Sequence, residues 1–158
     1  MPIQSVRVRS AARGLGSRWE DSPVNLELSE PIMDFRGVWK GRPRILVVED
    51  DEDLLLGLEW LLSREYDVRG VTSALAALGR CRQGWPDLLV VDYRLPDLDG
   101  VELLRTVRES SRIHSPALMI SAYPDGEGRA LKQGFDQFLS KPVSERRLRS
   151  AVERSLGL

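Results

Sequence analysis

The chain has one cysteine, Cys81, in 158 residues. That excludes an internal disulfide and any metal cluster built from cysteines. It also lacks an apolar stretch near the roughly 18 residues needed to cross a bilayer. The N-terminus carries Arg7, Arg9 and Arg13 but no apolar core of the secretory type. Neither sign of charge dominates: 23 Lys and Arg stand against 24 Asp and Glu, for a net charge of −1. The whole molecule therefore has no bulk attraction for nucleic acid or for an anionic membrane, and a cytoplasmic protein is expected. What is present, 42% hydrophobic and 30% charged residues, suits one domain with a real core plus some extra chain. Cys81 falls in a helical apolar pattern, where a free cysteine is a small buried hydrophobe.

Residues 1–42 read as a flexible or irregular extension. Gly14, Gly16, Ser17, Pro23 and Pro31 break any long periodicity. Val24, Leu26 and Leu28 alternate with polar residues and fit a short strand with no partner. Arg7, Arg9, Arg13 and Arg18 lie in a stretch without acids, which suits either a solvated tail or a tail that binds nucleic acid. A start at Met33 is equally compatible. Phe35, Val38 and Trp39 form a short lead-in.

From residue 43 to 158 strands and helices alternate. Arg44 to Val48 is an apolar strand that runs into Glu49 and Asp50. Acids at Asp51, Glu52 and Asp53 then favour the first turn of a helix. Tyr66 to Val71 alternates like an edge strand, and Ser73 caps a second helix. Leu88 to Val91 is a continuous apolar run, as in a strand buried on both faces, and it ends in Asp92. A helix follows Gly100, with Val101, Leu104 and Val107 as its stripe and Leu103 beside it. Ala117 to Ile120 is a fourth strand, ending at Ser121. A helix broken by Gly126 and Gly128 spans about 125–133. Gln137 to Leu139 forms the fifth strand, ending at Ser140 and Lys141. Ser144 caps a last helix that buries Leu148, Ala151, Val152 and Leu156. Five such units predict an α/β fold with a doubly wound parallel sheet.

In a parallel sheet the strand ends share one edge, the usual place for ligands. Glu49, Asp50 and Asp92 would meet there and repel one another without a cation among them. Hard carboxylate oxygens suit Mg²⁺. Ser121 and Lys141, expected on the far side, suit an anion. Together they describe a site for a phosphoryl group, with Asp92 between the two halves as nucleophile. Taken singly, Lys141 also fits a solvated charge, and Phe138 fits plain core. His114, between a helix and a strand, reads as a surface loop residue.

Residues 44–157 resemble the receiver domain of two-component response regulators. The resemblance rests on Ile45-Leu46-Val47-Val48-Glu49-Asp50, on Val91-Asp92-Tyr93-Arg94-Leu95-Pro96-Asp97-Leu98-Asp99-Gly100, on Met119-Ile120-Ser121-Ala122 and on Phe138-Leu139-Ser140-Lys141-Pro142. It implies a flavodoxin-like sheet of five strands in the order 2-1-3-4-5. It implies that Asp92 accepts a phosphoryl group from a histidine kinase or phosphotransfer protein. Mg²⁺ would be held by Glu49, Asp50, Asp92 and the backbone carbonyl of Arg94. Ser121 and Lys141 would bind the phosphate, small Ala122 would leave room for access, and Phe138 would be the switch aromatic. The resemblance also puts Arg94 and Tyr123 at the positions where the family tunes the lifetime of the modified state.

The expected output is protein contact through the fourth helix, fifth strand and last helix, to a downstream target or a second copy of the chain. Arg129, Lys132, Arg146, Arg147 and Arg149 make that face basic, and Asp136, Glu145 and Glu153 offer a second copy its counter-charges. With no effector domain after Leu158, a stand-alone regulator is expected, and not an enzyme beyond assisting its own phosphorylation and dephosphorylation. Three alternatives stay open: receiver-controlled nucleic-acid binding through the Arg-rich tail, a receiver that is never phosphorylated, and an aspartyl-phosphate phosphatase. Against the last, no second Asp shortly after Asp92 is placed as a general acid, and Asp97 lies beyond Pro96 in a loop.

Overall fold

The central strand, Leu88–Asp92, is buried along its whole length, as its unbroken apolar run requires. In the computed structural model, which describes residues 32–33, 39–84, 86–110, 114–123 and 126–158, it is the third, in sequence, of the five strands of the larger sheet. In chain order these are β1 (Arg44–Val48), β2 (Asp67–Val71), β3 (Leu88–Asp92), β4 (Ala117–Ser121) and β5 (Gln137–Ser140). All pair in parallel, in the order β2-β1-β3-β4-β5. The helices are α1 (Glu52–Leu62), α2 (Ala74–Arg82), α3 (Gly100–Ser110), α4 (Gly126–Lys132) and α5 (Glu145–Leu156). The expected strand order is the observed one.

Side-chain alternation along the strands sorts the core into two layers. Ile45, Val47, Val90 and Ile120 point to one face, where α1 and α5 bring Leu58, Leu62, Leu148 and Val152. Leu46, Val48, Val91 and Met119 point to the other, covered by α2 and α3 with Ala77, Leu103 and Leu104. The caps follow local sequence. Asp51 accepts the Leu54 N–H at 3.0 Å, and Ser73 and Ser144 serve α2 and α5 in the same way. Each such cap contributes about 1 kcal/mol.

Some boundaries differ from expectation. The stripe of α3 is centred on Leu103, Leu104 and Val107, all buried, while Val101 is half-buried. α4 has only seven residues and ends at Lys132. Its two glycines weaken a helix already too short to persist alone. Phe135, in the turn after α4, is 3% exposed and belongs to the core. In the extension, Ile32–Met33 pairs antiparallel with Trp39–Lys40. The expected strand around Val24, the Arg-rich stretch, Phe35 and Val38 lie outside the described residues. Among the described residues, no helix is long and apolar enough to cross a membrane.

Candidate functional site

The register of the sheet assembles the site as a staircase. Val48 lies opposite Val91, so Glu49 and Asp92 stand side by side where β1 and β3 end. Asp92 lies opposite Ile120, which puts Ser121 one step beyond it. Ser121 lies opposite Ser140, so Lys141 is one step further again, and its N–H donates to the Ser121 carbonyl at 2.8 Å. All four residues occupy one rim, as a parallel sheet dictates. They line a cleft of about 480 Å³ together with Asp50, Asp51, Arg94, Ala122 and Tyr123.

Three carboxylates converge in this cleft. Glu49, Asp50 and Asp92 each present an oxygen, and these oxygens lie within 4.8 Å of one another. Glu49 and Asp92 are buried, at 2% and 6% exposure, while Asp50 is exposed. Three hard oxygen donors at that spacing, one of them open to water, fit a small divalent cation such as Mg²⁺.

Lys141 departs from the expected layout. Its ammonium is not across the cleft from the acids but among them, with Nζ 2.8 Å from Glu49 Oε2 and 2.8 Å from Asp92 Oδ1. Two buried carboxylates repel each other, and the ammonium offsets that repulsion. Burial lifts the Glu49 carboxyl above its ordinary range. The hydrogen bond from Lys141 opposes this and the Asp92 charge adds to it. Burial works against the Lys141 ammonium, but hydrogen bonds to Asp92 and Glu49 outweigh it and raise its pKa.

The Asp92 carboxylate is held in one orientation. Its Oδ2 accepts the Arg94 N–H at 2.8 Å while Oδ1 faces Lys141. The loop after β3 then folds back sharply. The Gly100 N–H donates to the Tyr93 carbonyl at 2.8 Å, and a Cβ on Gly100 would lie 2.7 Å from the Asp92 carbonyl oxygen. Only glycine fits that approach. On the β4 side, Ser121 is buried and its Oγ accepts the Tyr123 N–H at 3.2 Å. The Tyr123 ring meets Tyr93 edge-on at 5.8 Å and lies 4.8 Å from the Arg94 guanidinium carbon. Arg94 and Tyr123 thus meet at the cleft mouth. Phe138 is half-buried and packs against the α2–α3 layer of the core.

Three further placements matter. Asp97 Oδ1 and Oδ2 accept the N–H groups of Ala74 and Leu75 at 2.9 and 2.8 Å, which ties the β3–α3 loop to the start of α2. A carboxylate occupied as an acceptor in this way is not a general acid. Arg149, expected on the basic face, instead pairs with Glu65 and Glu145. The groove between α4, β5 and α5 takes its cations from Arg146, Arg147 and Arg154. His114 is exposed, as expected.

Comparison with known proteins agrees with this geometry. The family model "Response regulator receiver domain" matches residues 45–153. The chain is 34% identical over 116 residues to the alkaline phosphatase synthesis transcriptional regulatory protein PhoP of Bacillus subtilis, covering 72% of this chain and 48% of PhoP. It is 32% identical over 120 residues to the sensor histidine kinase TmoS of Ectopseudomonas mendocina, covering 74% of this chain and 12% of TmoS. It therefore spans about half of the first and a small part of the second. Among solved structures, a CheY-like response regulator receiver domain protein from Methanospirillum hungatei superimposes with a TM-score of 0.68 at 29% identity, over 74% of this chain and 95% of that one. The chain belongs to the response regulator receiver domain family of two-component systems.

Proposed function

We propose that this chain accepts a phosphoryl group on Asp92 from a histidine kinase or a phosphotransfer protein, in the cytoplasm, and that residues 43–158 carry out this step while residues 1–42 form an extension. The observation that carries the reading is the convergence of Glu49, Asp92, Ser121 and Lys141 on one rim, with Lys141 Nζ 2.8 Å from both buried carboxylates.

In the transfer, a carboxylate oxygen of Asp92 attacks phosphorus, and the phosphorus–nitrogen bond of the donor histidine breaks. The electron pair leaves with the nitrogen. The Arg94 N–H holds the Asp92 carboxylate in line for attack. Lys141 then exchanges a carboxylate for the phosphoryl oxygens, and the Ser121 hydroxyl turns to donate to them. Ala122, with its small side chain, leaves the approach open. Glu49, Asp50, Asp92 and the backbone carbonyl of Arg94 would hold Mg²⁺. When bound, the ion neutralises charge on the phosphoryl oxygens. The protein catalyses no turnover on another substrate.

The added group brings about −1.5 to −2 charge and draws Ser121 and Lys141 together. These residues end β4 and start the loop after β5, so the pull reaches α4, β5 and α5. That face has two arrangements, with Phe138 between them, and the modification shifts their populations. The readout is contact with a downstream protein or a second copy of the chain.

Acetyl phosphate with Mg²⁺, followed by intact mass, tests the reading. Wild type should gain one phosphoryl group, about 80 Da, and neither Asp92→Asn nor wild type in EDTA should gain it. No gain on wild type, or an unchanged gain on Asp92→Asn, rejects it.

A further inference from the structure

Phe138 lines one cavity and lies against Gly126, which lines another. On its outer side it lines the groove of about 700 Å³ between α4, β5 and α5, with Leu131, Arg147 and Arg154. On its inner side the ring rests on Gly126, the first residue of α4. A Cβ on Gly126 would lie 2.6 Å from Phe138 Cε2 and 2.8 Å from Cζ. Gly126 also lines a second cavity of about 370 Å³, with Met119, Ser121 and Ala130. Met119 is the β4 partner of Phe138, so both side chains leave the sheet on the same face. The missing side chain of residue 126 is therefore what lies between the ring and the space beside Ser121.

Backbone geometry does not ask for glycine at this position. Among the described residues, the glycines with left-handed φ are Gly41, Gly84, Gly134 and Gly157. A glycine in a seven-residue helix also weakens it. Two residues on, a Cβ at Gly128 would meet nothing within 4 Å. The crowding belongs to residue 126 alone of the two.

We propose that Gly126 is a positioning residue that acts through Phe138: the gap it leaves is the passage by which the ring moves from the outer groove into the cavity beside Ser121. The proposal rests on the phosphoryl-switch reading above and names the residue through which that switch reaches the outer face. A carbon pair at 2.6 Å is far inside the optimum of about 3.5–4.0 Å, so a methyl group at 126 and the ring cannot share this space. The ring is anchored on β5. Its inward route crosses residue 126 and its outward route opens on the groove. A side chain at 126 closes the first and leaves the second.

The test uses the full chain labelled with 4-fluorophenylalanine, with the Phe138 resonance assigned through Phe138→Leu. Fluorine spectra are recorded in Mg²⁺ with and without beryllium fluoride, a phosphoryl mimic, and exposure of the ring is read from broadening by a soluble paramagnet. In wild type and in Gly128→Ala, loading should shift the resonance and remove the broadening. Gly126→Ala should take up phosphoryl from acetyl phosphate to the same stoichiometry by intact mass, yet keep its ring exposed. A ring that moves inward in Gly126→Ala overturns the proposal, as does a ring that stays put in loaded wild type. A Gly126→Ala protein that does not load also counts against it, because residue 126 is placed outside the phosphoryl site. Wild type that takes no phosphoryl group rejects the functional reading itself, and the mass measurement distinguishes that failure from the others.

Discussion

Replacing Lys141 by methionine removes the ammonium from between two buried acids. Glu49 and Asp92 are 2% and 6% exposed, and the Lys141 side chain is 23% exposed. Breaking a buried ion pair by deleting one partner costs about 3–5 kcal/mol. The partly open ammonium places this case at the lower end, about 3 kcal/mol. An independent estimate agrees. Two carboxylates at 4.8 Å, the upper limit for this cluster, repel by about 3.5 kcal/mol at an effective dielectric constant of about 20. With a urea dependence of about 2 kcal/mol per molar, the unfolding midpoint of Lys141→Met in EDTA should fall by about 1.5 M. Circular dichroism follows the transition. Saturating Mg²⁺ should then stabilise Lys141→Met more than wild type, because binding to the folded state alone adds to stability and the variant has no competing ammonium. Adding Glu49→Gln should recover part of the loss in EDTA. A midpoint within about 0.3 M of wild type, with the same gain from Mg²⁺ in both proteins, would show that Lys141 does not neutralise the cluster.

Burial raises the Cys81 thiol to about 11 from 9.0, so the fold favours the neutral thiol. Its contribution is complete below pH 9 and is lost as pH rises toward 11, by about 1.4 kcal/mol per unit. Cys81→Ala should lack that part of the alkaline slope, and maleimide should label wild type at pH 8 only after urea unfolding. Asp97→Ala should cost about 1 kcal/mol through loss of the contacts at the start of α2, read as a lower thermal midpoint. Desolvation is the largest single effect on the Asp97 carboxyl and works to raise it, but the backbone N–H groups of Leu75, Ala74 and Leu98 together outweigh it and hold the carboxyl below its usual range, so its contribution in wild type is present above that range and fades as pH falls through it. Gly128→Ala has free space around the new methyl and should raise stability by up to about 1 kcal/mol, visible as a higher melting temperature. A lower one would mean that α4 needs the loose backbone.

Local signals carried most of the fold. The run from Leu88 to Asp92 announced a fully buried strand, and Ser73 and Ser144 marked two helix starts by side-chain chemistry alone. The polar residues at four strand ends located the rim once the sheet was taken as parallel. What stayed hidden depends on long-range geometry. Lys141 reaches Glu49 across 92 positions, and no spacing rule says that it will sit among the acids. Asp97 caps a helix that begins 23 residues earlier. Arg149 turns toward Glu65, 84 positions away, and so leaves the face that its helix position suggested. The stripe of α3 was centred on the wrong side because Val101 and Leu103 both fit the period, and only the position of α3 against β3 and β4 decides between them.

Glu49 and Lys141 lie 92 positions apart in the chain, and that separation has a consequence for how the site forms. A nascent chain carries Asp92 well before its last strand is made, yet it lacks the ammonium and the hydroxyl in place around that carboxylate. The same holds for a molecule whose final strand has frayed. On the function proposed above, competence to receive a phosphoryl group at Asp92 waits until the chain has folded as far as Lys141, and a copy that stops short of it does not respond.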